Sequence, residues 1–518
     1  PLDFSTGPAV NDSGPNIGKI LNVGYLVVLT DGLRAIDLSP MGADTLYASF
    51  KSAPADCSSI TDSTLNRLCQ LTKAHLGIAR AATGTSPESV ILTWSFSTQS
   101  IDDVLDVISK IATPQPTLIV PTGLTTAAIG ASGKADVYVG STRLPYYLTP
   151  PASPTDSAAV LTKFWTAAGP SQVPGIDATS RNLTMFNPVP AKVADVTVPI
   201  VVSIPNATSA CAAKPAAGWP VAIVQHGITG NRGQALAMAD AYADACFVVV
   251  AMDLPLHGIA QGDPRFGALY CSPALPQCIG ATERTFDVDL VNNTTSVAPG
   301  DGRVDGSGTH FINLTSPATG RDNLRQGEAD AIQLTKSIPG LAIAPGTPAP
   351  AGPIGVDPTR ISYTGLSLGG IVGGSHIHFV NDLRTASLVV PGGVITRLLL
   401  DSQTFGPRIK AGVTGSLAEN SFNYNLFFRD FQAVIDSGDP INHIEDAVAM
   451  HPVHLIKVLN DTVVPNNSTD RLIAQGPLRK VKTLGPNAVG PGNGGYTFFS
   501  KGSHGSLFDP TASRAATV

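Results

Sequence analysis

The sequence predicts an α/β protein: a mostly parallel sheet with helices on both faces, preceded by a smaller all-β module. Three observations predict it. From about residue 116, strand-like runs alternate with helical stretches, the pattern of βαβ units. Several of those runs are apolar throughout, as strands buried on both faces are. The first 115 or so residues lack this alternation and carry strand signals bounded by turns.

Bulk properties narrow the class. The chain has 518 residues, 43% hydrophobic and 14% charged, a globular composition too long for one small core. Two domains are expected, 1–115 and 116–518. The net charge is −6 and there is no Lys/Arg run, so no nucleic-acid partner is expected. No segment reaches the roughly 18 consecutive apolar residues of a membrane span. Pro1-Leu2-Asp3-Phe4 carries neither a basic nor an apolar leader region, so any signal peptide is expected to have been removed, or the chain to have been made without it.

The elements follow in order. Tyr25–Thr30 reads as a strand ending at the Asp31-Gly32 turn, and Val90–Thr98 as a second strand with Leu92, Trp94 and Phe96 on one face. Ser63–Ala82 has a helical pattern, and Ile101–Ile111 a helix leading out of the module. The strands of the second domain are placed at Ala135–Gly140, Val196–Ser203, Pro220–Gln225, Phe247–Met252, Arg360–Thr364, Ala386–Val390, Val453–Leu459 and Tyr496–Ser500. Helices are placed at Gly233–Cys246, Arg321–Ile338 and Leu368–Asn381. The Pro/Gly/Ala-rich stretches Leu341–Gly355 and Leu484–Gly495 read as surface loops.

Six cysteines fall into three neighbouring couples, with no CxxC to suggest zinc or a redox motif. The expected pairing is Cys57–Cys69, Cys211–Cys246 and Cys271–Cys278, which implies an exported protein. Six free thiols in a cytosolic enzyme are the alternative.

Gly365-Leu366-Ser367-Leu368-Gly369 is the one GxSxG of the chain. The motif alone is weak, but a strand precedes it and a small-residue helix follows, as a nucleophile elbow requires. That turn is too sharp for side chains two residues either side of the serine, hence Gly365 and Gly369. Ser367 is the expected nucleophile of an α/β-hydrolase fold.

A serine hydroxyl needs a histidine to take its proton and a carboxylate to orient that histidine. In this fold they follow in the order Ser, acid, His. His504 lies directly after the last strand and is the expected base. Asp461 ends the preceding strand and is the expected acid; Asp439 and Asp436 are the runners-up, and fit turn and cap roles better. The oxyanion needs two preorganised N–H donors. They are expected from Leu368, next to the nucleophile, and Ile228 in His226-Gly227-Ile228-Thr229. Gly227 would let the backbone approach substrate, and His226 would buttress the loop.

Gly227, Leu366 and His257 are the expected substrate-binding residues, His257 through the segment Asp253–Gly258 that shapes the pocket wall. Insertions at about 259–320 and 394–450 are expected to roof an apolar acyl pocket. No metal or cofactor is expected. Asp301–Gly306 lacks the spacing and terminal Glu of a calcium loop, and His376 and His378, two apart, do not share a helix face.

These residues resemble the bacterial extracellular lipases and phospholipases of the Aeromonas/Vibrio type. The resemblance lies in Ile223–Thr229, Arg321–Gln326, Gly365–Gly370, Asp436–Pro440 and Asn460–Pro465. Tyr25–Leu33 and Trp94–Ser100 are similar to that family's N-terminal Ig-like module. Leu366 departs from the family, where a polar residue is common, and bears on acyl selectivity. The resemblance implies a secreted or cell-surface enzyme hydrolysing a lipid or other hydrophobic ester; a monomer in contact with a lipid or polymer surface is expected. Phospholipase and polyester hydrolase are the alternatives within that chemistry. A non-catalytic surface-binding protein is the alternative outside it.

Overall fold

The computed structural model describes residues 24–97, 99–171, 179–481 and 489–508. The chain divides into two compact units, Pro1–Ser100 and Ile101–Val518.

In the first unit, strands β1 (Gly24–Thr30) and β2 (Val90–Ser97) pair antiparallel. Helices Thr45–Ser52 and Ser63–Thr83 are each started by an aspartate, Asp44 and Asp62, whose carboxylate accepts two backbone N–H groups. Both helices reach β2: the Tyr47 hydroxyl lies 2.8 Å from Thr93 Oγ1, and His75 Nε2 lies 3.0 Å from Ser95 Oγ. Leu92, Trp94 and Phe96 share the opposite, exposed face of β2, as expected. The all-β Ig-like sandwich is not seen among the described residues. Helix Ser63–Thr83 supplies the covering layer that a second sheet would have supplied. The boundary also differs from residue 115: helix Asp103–Ile111 packs Val104, Leu105 and Ile108 into the main core of the second unit.

The strands of the second unit are β3 (Thr117–Thr125), β4 (Ala135–Tyr146), β5 (Ala194–Pro205), β6 (Trp219–Gln225), β7 (Val248–Met252), β8 (Ala342–Ile343), β9 (Gly352–Pro353), β10 (Val356–Leu366), β11 (Leu383–Val389), β12 (Val453–Val458), β13 (Arg479–Lys480) and β14 (Gly495–Phe499). Among the described residues they form one sheet in the order β13-β14-β12-β11-β10-β6-β7-β5-β4-β3-β8-β9. The run from β13 to β7 is parallel, and β5 is antiparallel to both of its neighbours. Taken along β4-β5-β7-β6-β10-β11-β12-β14, this is the α/β-hydrolase strand order, with one reversed strand. β6 and β7 are buried along their whole length, which explains their unbroken apolar sequence.

All eight expected strands are present. β3 was not foreseen, because Pro121 interrupts its pattern; its register against β4 shifts between Pro121 and Leu124. β8 and β9 fall within a stretch expected to be loop. Residues 482–488 of the other expected loop lie outside the described residues.

Helix Pro317–Ser337 is almost wholly buried although it is rich in charge. Buried charge is tolerated when paired and hydrogen-bonded. Asp322 lies between Arg321 and Arg325 and accepts the Trp165 N–H at 2.7 Å; Asp330 pairs with Arg284. The three disulfides join Cys57–Cys69, Cys211–Cys246 and Cys271–Cys278. No helix among the described residues is long and apolar enough to cross a membrane.

Candidate active site

Ser367 stands between the end of β10 and helix Leu368–His376, at φ 54° and ψ −116°. A positive φ is uncommon for a residue with a side chain and costs of order 1–3 kcal/mol. The surroundings hold it there. The Ser367 N–H donates to Val389 O at 2.8 Å, and the Tyr363 hydroxyl donates to Gly369 O at 2.7 Å. A Cβ on Gly365 would run into the Gly369 carbonyl, and one on Gly369 would stand 2.5 Å from Gln225 O. The glycines thus permit the close crossing of β10, the elbow helix and the end of β6.

The loop after β6 lies against the serine. A Cβ on Gly227 would be 2.9 Å from Ser367 Cβ and 3.1 Å from Leu366 O. Ile228, next along, is half-buried. Leu368 is the first residue of its helix, so its N–H has no acceptor within that helix. Ile228 and Leu368 therefore stand on the two backbone segments that meet at Ser367.

His226 fixes this loop. Leu254 N–H donates to its Nε2 at 3.1 Å, so Nδ1 carries the proton and donates to Gly227 O at 2.7 Å. Both ring nitrogens are used and the ring is fully enclosed. Burial brings its pKa down to about 4, so the imidazole is neutral and its 3.8 Å approach to Asp253 is no ion pair. Further along, buried Arg232 donates its N–H to Asp253 Oδ1 at 2.7 Å, and its guanidinium to Asp253, Glu283 and Leu269 O. Glu283 also accepts the N–H groups of Ile259 (3.1 Å) and Cys271 (2.8 Å). One buried cluster thus ties the loop after β6 to the end of β7 and to the first insertion. Sequence reasoning missed it, apart from placing Asp253 in the pocket wall.

Asp461 and His504 follow β12 and β14, which pair with each other. His504 Nδ1 donates to Asp461 Oδ2 at 2.7 Å. Asp461 Oδ1 accepts the N–H groups of Val463 (2.8 Å) and Val464 (3.1 Å), fixing the carboxylate. Asn466 clamps the turn, accepting the Asn460 N–H and donating to Val458 O. With its proton on Nδ1, His504 keeps Nε2 as an acceptor, the tautomer a general base needs. Leu366, Val389, Val390 and Val458 form an apolar cluster, with Phe499 and Leu507 of the histidine loop packed on it. That cluster connects the elbow with the loop bearing His504. The Ser367 hydroxyl has no hydrogen-bond partner among the described residues.

The runners-up are caps. Asp439 is fully buried and accepts the N–H groups of Val394 (3.2 Å), Ile395 (2.7 Å) and Ile441 (3.0 Å), while Asp436 accepts from Gln432 at 2.8 Å. His257, expected to bind substrate, is enclosed in the pocket wall. It is fully buried, donates from Nδ1 to Pro255 O at 2.9 Å, and lies so close to Gly308 that a Cβ on that glycine would run into its Nε2. Its role is to support the wall. Asp305, of the segment tested for calcium, accepts the Leu290 N–H at 2.7 Å and pairs with His310 at 2.8 Å.

A cleft of about 570 Å³ opens beside Ile228, with an apolar wall of Ile312, Leu314, Leu399, Phe405 and Ile409 from both insertions and with His310, Asn313 and Arg408 also lining it. Behind Leu368 lies a small apolar cavity of about 40 Å³, between Phe311, Leu324, Ile371, Leu398 and Phe431. Together these elements comprise an elbow serine, a carboxylate-held histidine, two candidate amide donors and an apolar cleft, the groups that nucleophilic acyl transfer requires. One further cluster, Asp102, His378 and His443, could hold a metal ion.

The class defined by the strand order is the α/β-hydrolase fold. No family model matches the chain, and no curated protein matches it in sequence. Similar solved structures include acetyl xylan esterase 1 from Thermoanaerobacterium sp. JW/SL YS485, at 13% identity and TM-score 0.40 over 78% of this chain and 88% of that one. The acetyl xylan esterase from Paenibacillus sp. R4 is 12% identical with TM-score 0.40, over 79% and 90%. A putative dienelactone hydrolase from Klebsiella pneumoniae is 14% identical with TM-score 0.31, over 62% and 86%. Likeness this distant says nothing about substrate.

Proposed function

We propose that this protein is a carboxylic ester hydrolase of the lipase or esterase kind, acting through an acyl-enzyme on Ser367. The observation that carries this reading is the 2.7 Å bond from His504 to Asp461, on the loops beside a serine at positive φ. His504 Nε2 takes the proton from Ser367 Oγ as Oγ bonds to the ester carbonyl carbon. The oxyanion that forms is held by the Ile228 and Leu368 N–H groups. Collapse expels the alcohol, which leaves with the proton from His504. Water, deprotonated by His504, then attacks the acyl carbon, releases the acid and restores Ser367. Asp461 orients the imidazole and stabilises its cationic form throughout.

The apolar cleft favours hydrophobic acyl esters over charged ones, in line with the lipase resemblance. A phospholipid or polyester chain is the second reading, supported by the cleft's volume of about 570 Å³. Three disulfides support an exported protein. The test is hydrolysis of p-nitrophenyl butyrate, tributyrin, phosphatidylcholine and polyester film by the wild type and Ser367→Ala. Turnover of at least one that the substitution abolishes supports the proposal; no turnover of any refutes it.

A further inference from the structure

The geometry points to a binding site for one zinc-class divalent cation, formed by Asp102, His378 and His443 at the end of the elbow helix remote from Ser367. Each residue offers one ligand atom, and these atoms lie within 4.8 Å of one another. Zinc binds nitrogen and oxygen at about 2.0–2.2 Å, which sets tetrahedral ligands roughly 3.4 Å apart. Small side-chain adjustments bring the three onto one ion, leaving a fourth position for water.

His443 carries the strongest signs. It is fully buried, and its Nδ1 has no hydrogen-bond partner among the described residues. That nitrogen stands 3.0 Å from Asp102 Oδ1, a contact not aligned as a hydrogen bond. On its other side, Nε2 donates to Ser437 O at 3.3 Å. A metal-bound histidine characteristically gives its second N–H to such a carbonyl, which fixes the tautomer and aims the bare nitrogen at the ion. The His378 ring lies nearly parallel to that of His443, with centroids 5.8 Å apart, and Phe379 packs its edge against both rings. Asp102 occupies the cap position of helix Asp103–Ile111, yet its side chain does not cap that helix. A helix-start aspartate ordinarily does so; this one faces His443 instead.

Two imidazoles and one carboxylate suit zinc and its neighbours, not calcium or magnesium, which take oxygen ligands. The role is structural. The elbow helix Leu368–His376 separates His378 from Ser367 by roughly 13 Å at 1.5 Å per residue. A bound ion would join three segments: the start of the second unit, the end of the elbow helix, and the chain returning from the second insertion. The sequence expectation of no metal overlooked it because the three ligands are scattered along the chain with no motif spacing.

The test uses the full chain without an affinity tag, stripped with a chelator and titrated with zinc chloride by calorimetry. Binding of one zinc per chain, none of magnesium, and a raised Tm at saturating zinc are expected. His378→Gln and Asp102→Asn should each weaken zinc binding about a hundredfold or more, since even an outer-shell change costs 10–100-fold. Asp102 is partly exposed, so its variant should retain the wild-type circular dichroism spectrum; His443→Gln is the third arm. Absence of stoichiometric zinc binding by the wild type would overturn the site. So would zinc bound equally by the wild type and both exposed-side variants. A Tm fall in Asp102→Asn without zinc binding would assign the cluster to a His443–Asp102 ion pair alone and likewise overturn it. None of these readouts depends on ester hydrolysis.

Discussion

Gly227 and Ser367 stand so close that a Cβ on the glycine would lie 2.9 Å from the Cβ of the serine. Under the proposed function, this contact seats the Ile228 N–H beside the reacting carbonyl. Gly227→Ala should therefore push the loop away and lower kcat by about 10²–10³, the cost of losing one oxyanion donor. Comparison of kcat and Tm checks it. Unchanged kcat in a folded Gly227→Ala protein would remove this loop from the site.

Asp461→Asn should lower kcat by roughly 10⁴, because an amide no longer enforces the Nδ1–H tautomer of His504. His504→Ala should cost as much as loss of the nucleophile. Hydrolysis by Asp461→Asn at the wild-type rate would assign the acid elsewhere, with Asp439 next to test.

Acyl length gives a third prediction. Each methylene buried in the cleft is worth about 0.8 kcal/mol, near fourfold in kcat/KM if fully used. Values for p-nitrophenyl esters should rise from acetate to butyrate or beyond. A monotonic fall from acetate onward would contradict the apolar cleft as the acyl site.

Glu328 sets a pH prediction. Both its carboxylate oxygens are buried, and burial pushes its pKa up to about 8 from 4.5 against the opposing pull of the Ser375 hydroxyl. Arg325, one turn earlier, and Asp439 act on it with opposite signs. The folded value lies above the unfolded one, so the stabilisation is complete below about pH 4.5 and is lost as pH rises through 8. The full window is worth on the order of 4–5 kcal/mol. Glu328→Gln cannot ionise, so the Tm difference between variant and wild type should move in favour of the variant from pH 5 to pH 8. A difference that does not change with pH would refute the assignment.

The disulfides should appear in a non-reduced digest as Cys57–Cys69, Cys211–Cys246 and Cys271–Cys278. Removing one should cost about 2–4 kcal/mol by denaturant unfolding. Free thiols at all six positions would contradict both the pairing and export.

Much of the second unit was legible because its signals are local. Apolar runs such as Val221–Val224 mark buried strands. Glycines flanking Ser367 mark the turn, and the order Ser367, Asp461, His504 singles out the candidate acid and base. What was not legible depends on long-range packing. Pro121 hid β3, although a register shift accommodates it. The Arg232–Asp253–Glu283 cluster joins three segments that no periodicity relates. His257 follows a pocket-side strand like a substrate ligand, and only its burial, with Gly308 close against its ring, shows that it is enclosed. In the first unit the helix at Ser63–Thr83 was itself legible, and a helix of that length packed on β2 is incompatible with an all-β sandwich.

The central claim is that Ser367 is the nucleophile, and the most direct measurement is covalent labelling. A fluorophosphonate probe added to the full chain, with digestion and tandem mass spectrometry, should place one label per molecule on Ser367 and abolish ester hydrolysis in step with labelling. Ser367→Ala should take no label and lose roughly 10⁶-fold in kcat. Labelling at another serine, or a Ser367→Ala protein within tenfold of wild-type activity, would contradict it.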